Sequence, residues 1–167
     1  TIASLNDVVG KQVFLKLENL QKTGAYKARG ANFKIKKLLE KQELKGVVAA
    51  SSGNHAQGVA YAARVNNVPA VIVMPTTASP TKVLSTKSYG AEVILYGRIY
   101  DEAYEKALSI AQERGYTFIH PFDDPVIIAG QGTIGLELLE QVRSLREVLV
   151  PIGGGGLISG IAIACGC

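Results

Sequence analysis

At 167 residues the chain has room for one compact domain or two small lobes, which excludes a large multidomain machine. Hydrophobic residues make up 47% and charged residues 19%, with 18 Gly and 6 Pro, so the composition is globular and too apolar for a disordered tail. A net charge of +4, from 18 Lys plus Arg against 14 Asp plus Glu, favours small anionic partners such as phosphates and carboxylates and does not point to nucleic acid.

Along the chain the hydrophobic period alternates between strand-like and helix-like. A run at residues 13–17 predicts a first strand, followed by Lys22-Thr23-Gly24-Ala25-Tyr26-Lys27-Ala28-Arg29-Gly30. There a lysine stands before a helix, beside an aromatic ring and among small neighbours. Such a residue is either simply solvated or held in a restricted pocket where its amine becomes nucleophilic. The next segment predicts a helix over 29–40, with Lys34, Lys36 and Lys37 on its solvated side. A strand over 46–50 leads into Ser51-Ser52-Gly53-Asn54-His55, whose hydroxyl and amide groups either cap the helix expected over 54–66 or clamp a carboxylate. Strands over 70–74, 92–95 and 116–119 then alternate with helices over 80–89, 101–114 and 125–141. Pro80 and Pro125 stand in first turns, and Gly90 and Gly115 at C-terminal stops.

A last strand over 147–151 opens into Gly153, Gly154, Gly155 and Gly156. Four glycines remove every Cβ, so a phosphate can touch several backbone N–H groups while the following helix, over 156–165, adds its positive end; a mobile turn is the plain alternative. That helix is apolar on nearly every side, which predicts that it is buried. The sixfold alternation predicts an α/β protein with parallel strands, right-handed crossovers and helices on both faces. Its strand-to-helix loops are where open α/β sheets bind ligands. No Lys-Ser/Thr pair follows the glycines as a Walker loop requires, and no acidic partner follows at dinucleotide-binding distance. His55 and His120 lie too far apart for a zinc pair, and Cys165 and Cys167 lack a second ligand pair, so free thiols and no metal site are expected. No uncharged apolar run reaches membrane-spanning length, and the reading is a soluble, cytoplasmic protein.

A reactive amine, a carboxylate clamp and a phosphate cradle together suit pyridoxal phosphate acting on an amino acid. Tyr26-Lys27-Ala28-Arg29-Gly30-Ala31, the run Ser-Ser-Gly-Asn-His-Ala-Gln-Gly from Ser51 to Gly58, Ala129-Gly130-Gln131-Gly132-Thr133 and the tetraglycine stretch follow one another across the whole chain. In this order they resemble the threonine dehydratase (threonine deaminase) family of fold-type II, tryptophan synthase β-like pyridoxal phosphate enzymes, and are also similar to serine racemase.

The resemblance implies that Lys27 anchors the cofactor covalently and acts as base, with Tyr26, where the family usually has Phe, against the cofactor ring. It implies that Asn54 bonds the ring hydroxyl and that Gly153, Gly154, Gly155 and Gly156 hold the phosphate. Ser51, Ser52, Asn54 and His55 would surround the substrate carboxylate, with Ser52 carrying a proton on the face opposite the lysine. The implied reaction is β-elimination of water from L-threonine followed by hydrolysis, giving 2-oxobutanoate and ammonia. The implied setting is amino-acid metabolism, isoleucine biosynthesis included. The resemblance further implies a small mobile lobe over 46–120, a large-lobe portion made of 1–45 and 121–167, and a homo-oligomer, dimer or tetramer. Family members are longer, so a fragment of a longer polypeptide is expected. Serine racemase and a catalytically silent scaffold are the rival readings.

Overall fold

The computed structural model describes residues 2–41 and 44–166. After α1 (Ala3–Val9) and a 3-10 turn at Glu18–Leu20 come α2 (Lys27–Glu40), β1 (Val47–Ala50), α3 (Asn54–Val65), β2 (Ala70–Met74), α4 (Pro80–Ser88) and β3 (Glu92–Leu95). They are followed by α5 (Tyr100–Arg114), β4 (Thr117–Phe118), α6 (Pro125–Gln141) and α7 (Gly156–Cys165). Local signals set several boundaries. The Asp124 carboxylate caps α6 by accepting from the amides of Val126 at 2.8 Å and Ile127 at 3.0 Å, with Pro125 behind it. Gly115 ends α5 with φ of 64°, a left-handed turn that a side chain would strain.

All four strands are parallel, in the order β3-β2-β1-β4, with Val47 opposite both Ala70 and Thr117 and Val71 opposite Glu92. Val47, Val48, Ala49 and Ala50 are fully buried, as expected of a strand covered on both faces. Val47, Ala49, Ile72 and Met74 pack with Ile35 of α2 and the alanines of α3. Val48, Ala50, Val71 and Val73 pack with Ala103, Ala107 and Ile110 of α5. From β1 the chain moves outward to β2 and β3, then returns through α5 to β4 on the far side of β1. The strand order therefore reverses between β1 and β4, and the crevice at their carboxyl ends is the expected ligand position.

Two expected strands are absent. Residues 13–17 and 147–151 form no ladder with any described strand, because a strand exists only through a hydrogen-bonded neighbour and the four-stranded sheet offers them none. Phe14, Leu15 and Leu17 are exposed, and Leu149 is 98% exposed. The expected full burial of α7 is also corrected: Gly156, Gly160 and Ile161 are buried, but Ile163 is 73% exposed, because only the small-residue face meets α6. Lys34 leaves the expected solvated face to pair with Asp124 at 2.6 Å, tying α2 to the cap of α6, whereas Lys36 and Lys37 are exposed. Cys165 is a free thiol; Cys167 lies outside the described residues.

The helices α2, α6 and α7 meet along glycines. A Cβ on Gly132 would lie 2.7 Å from the carbonyl oxygen of Gly160, and one on Gly160 would lie 2.7 Å from the amide of Gly132 and inside the carbonyl of Ile128. Backbone cannot step aside as a flexible side chain can. Gly160→Ala is therefore expected to force α6 and α7 apart and cost about 2 kcal/mol, the overpacking penalty outweighing the gain in helix propensity. A urea midpoint lowered against the wild type checks this.

Candidate active site

Lys27 is the first residue of α2, and the sequence explains why its surroundings are tight. Gly58 of α3 crosses there, and a Cβ at that position would stand 3.0 Å from the Lys27 carbonyl carbon. The Lys27 side chain is half-buried, its Nζ 5.4 Å from the centroid of the Tyr26 ring. Nζ donates to the carbonyl oxygen of Pro121, 94 residues further on. Burial lowers the pKa of this amine below the ordinary lysine value, so more of it is uncharged and nucleophilic at neutral pH than on a surface lysine. Burial also raises the Tyr26 phenol, which stays protonated.

Pro121 belongs to the segment that leaves β4, and its next residue carries the connection further. The ring of Phe122 lies where a Cβ on Gly154 would fall, and its carbonyl oxygen is 2.7 Å from where a Cβ on Gly156 would fall. Gly155, with φ of 85°, is the left-handed N-cap of α7. The tetraglycine run thus rests on the residue adjacent to the one that receives the Lys27 amine. At the start of α7 no side chain caps the helix and no acidic residue occupies the first turn, leaving its backbone N–H groups for an external anion. Those donors suit a phosphate, and the half-buried amine suits an aldehyde, so the residues present fit pyridoxal phosphate.

The Ser51-to-His55 loop faces the same segment. Ser51 Oγ accepts from the Gly53 amide at 3.1 Å. Ser52 is half-buried and Asn54 exposed at the start of α3. His55 is fully enclosed, its Nε2–H donating to the Ile119 carbonyl at 2.9 Å. Its ring is thereby engaged by the Ile119 carbonyl just past β4, and the polar groups the loop could offer an anion are the two serines, Asn54 and backbone amides. Desolvation first, then the charges of Lys27 and His120, lower the His55 pKa to about 4, against the one raising influence of the Ile119 carbonyl. The unfolded chain therefore binds a proton near pH 6.5 that the fold refuses until about 4. Stability is full above 6.5 and falls as pH drops toward 4, by up to about 3 kcal/mol. Urea titrations at pH 7 and pH 4.5 should display this slope, and His55→Gln should flatten it.

A cleft of about 400 Å³ opens beside these groups, lined in part by Ser51, Tyr104, His120, Pro121 and Phe122. His120 Nδ1 accepts from the amides of Phe122 at 3.2 Å and Asp123 at 2.7 Å, holding the turn in shape. Sequence reasoning missed the whole segment from Ile119 to Phe122, which touches the lysine, the glycines and His55. The signal that could have found it is topological: it leaves the carboxyl end of the strand across the switch from β1. Among the described residues no three His, Cys, Asp or Glu side chains gather as metal ligands, and no helix is long and apolar enough to cross a membrane.

Known proteins share this sequence and fold. An L-threonine ammonia-lyase of Thermotoga maritima is 56% identical over 160 residues, covering 96% of this chain and 40% of that protein. The processed form of threonine deaminase isoform 2 from Solanum lycopersicum superposes with a TM-score of 0.90 at 44% identity, covering 95% of this chain and 44% of that one. Maize serine racemase superposes with a TM-score of 0.92 at 45% identity, covering 96% and 49%. The chain thus spans about half or less of the length of the relatives it matches. The family model for pyridoxal-phosphate dependent enzymes matches residues 1–166, the stretch that holds both the lysine and the glycine run, and the chain belongs to that family, with the fold-type II architecture its motifs implied.

Proposed function

We propose that the protein is an L-threonine ammonia-lyase in which Lys27 and the run Gly153, Gly154, Gly155 and Gly156 hold one molecule of pyridoxal phosphate. The observation that carries this reading is the Pro121-Phe122 bridge, which takes the Lys27 amine on one residue and the glycines on the next. When bound, pyridoxal phosphate withdraws electrons from the substrate Cα, so that its proton can be removed and the β-hydroxyl lost as water.

This chain's residues supply the rest. The Lys27 amine would hold the cofactor and, when free, take the α-proton at Nζ; burial lowers its pKa and so favours the uncharged form more than on a surface lysine. Tyr26 flanks the cofactor ring, and Asn54, whose side chain is exposed toward solvent, bonds the ring hydroxyl. Ser51, Ser52, Asn54 and His55 receive the substrate carboxylate, His55 through its backbone, and Ser52 carries a proton on the face opposite Lys27. The amides of the glycine run and the open end of α7 bind the phosphate. Hydrolysis of the eliminated product gives 2-oxobutanoate and ammonia.

The same reading assigns a small mobile lobe to 46–120 and large-lobe portions to 1–45 and 121–167. Support comes from the sheet, which lies wholly between Val47 and Phe118, whereas the glycine seams of α2, α6 and α7 lie outside it. Closure of the small lobe would exclude water from the reacting carbon. A homo-oligomer, dimer or tetramer, a cytoplasmic setting and supply of 2-oxobutanoate to isoleucine biosynthesis complete the proposal. Incubation of the intact protein with pyridoxal phosphate and L-threonine should release 2-oxobutanoate and ammonia in equal amounts. D-serine formed from L-serine as the main product would replace this reading with a racemase; no turnover and no cofactor absorbance would replace it with a silent scaffold.

A further inference from the structure

We infer that Arg29 is a positioning residue, a fixed fork that sets where Lys27 emerges relative to the glycine run. The inference rests on the proposed role of Lys27. Helix α2 begins without the usual means of fixing a helix start: Tyr26 supplies no side-chain cap, and no acidic residue stands in the first turn. Arg29, two residues beyond Lys27, does the fixing from the side. Nε and Nη2 donate to the two carboxylate oxygens of Glu18, both at 2.8 Å. Nη1 and Nη2 donate to those of Glu137 at 2.6 and 2.8 Å, and Nη1 also donates to Thr133 Oγ1 at 3.0 Å.

All five N–H donors of the guanidinium are thus used, in a planar pattern that a lysine cannot reproduce. Lys16 donates to Glu137 as well, so two cations and two carboxylates close a neutral network. Both carboxylates favour the arginine's charged form, and the Arg29 and Lys16 contacts hold Glu137 down to about 2. Glu137 and Thr133 lie on α6. So do Gly130, packed on Gly30, Gln131, whose Oε1 accepts from the Gly30 amide at 3.2 Å, and Gly132, packed on Gly160 of α7. One rigid helix therefore sets both the root of Lys27 and the helix that begins at the glycines, and Arg29 is the polar lock in that register.

A partly buried ion network is weak evidence for stability, since neutral packing often serves as well; its use lies in fixing one geometry. This separates a positioning role from a merely structural one. In the intact protein loaded with pyridoxal phosphate, Arg29→Lys keeps the charge and loses the fork. It should lower kcat for L-threonine by about 100-fold, the scale of an ångström's misplacement, with KM changed less than about threefold. The induced circular dichroism of the cofactor's visible band should weaken in parallel. A second variant, Arg29→Met with Glu18→Gln and Glu137→Gln, removes the arginine and both its carboxylates together and leaves Lys16 on Gln141. It should fold with a wild-type midpoint and show the same loss of kcat and dichroism.

Wild-type kcat and dichroism in Arg29→Lys, or their recovery in the triple variant, would overturn the inference, as would losses that merely follow the unfolded fraction. Absence of any cofactor band in the wild type would instead defeat the reading of Lys27. If the band forms but threonine is not the substrate, the dichroism of the two variants still decides.

Discussion

Lys27→Ala should reduce turnover of L-threonine by about a thousandfold or more, because it removes the covalent anchor and the base together. The fold should survive, since the lysine amine donates to the Pro121 carbonyl, which water can reach once the side chain is gone. Lys27→Arg is the sharper companion. It keeps a cation for that carbonyl but has no amine able to join an aldehyde, so it should be as inactive as the alanine variant. Borohydride reduction of the loaded protein followed by peptide mass mapping should place the cofactor on Lys27 in the wild type and on no residue in either variant. The pH dependence of that labelling should lie below the range of a surface lysine, since burial disfavours the charged amine.

Gly154→Ala should weaken pyridoxal phosphate binding by about 10- to 100-fold, the equivalent of losing one charge-assisted hydrogen bond. The new Cβ falls inside the Phe122 ring, so the ring must move, carrying the Pro121 carbonyl and the seat of Lys27 with it. The effect should be coupled: Phe122→Ala in the same chain clears the space, and the double variant should lose less than the two single losses combined. Gly153 provides the contrast, because a Cβ there meets nothing within 4 Å, and Gly153→Ala should leave the urea midpoint unchanged. Equilibrium titration of the wild type, the two single variants and the double variant with pyridoxal phosphate checks the coupling, and urea unfolding of Gly153→Ala checks the contrast.

Much of this was legible from residues alone, for identifiable reasons. The buried strands at Val47–Ala50 and Ala70–Met74 show as unbroken apolar runs because both their faces are covered. The helices announce their ends through Asp124-Pro125 and Gly115. Residues 13–17 and 147–151 have the same local character as true strands, and local character cannot say whether a neighbour exists to pair with. The same limit hid Ile119 to Phe122: its contribution is two backbone carbonyls and a ring placed by topology, none of which needs an unusual residue type. Arg29 was visible within its motif, yet its partners Glu18 and Glu137 are 11 and 108 residues away in sequence, so only the fold discloses the network. His55 was expected at the substrate carboxylate; its enclosed ring is bonded to Ile119, which is why the proposed function draws on its backbone there.

The most direct measurement of the central claim is a crystal structure of the intact protein with pyridoxal phosphate. Electron density should run continuously from Lys27 Nζ to the cofactor's aldehyde carbon, with the phosphate of that same molecule on the amides of Gly153, Gly154, Gly155 and Gly156. A cofactor joined to another lysine, or a phosphate lodged away from the glycine run while Lys27 remains on the Pro121 carbonyl, would contradict it.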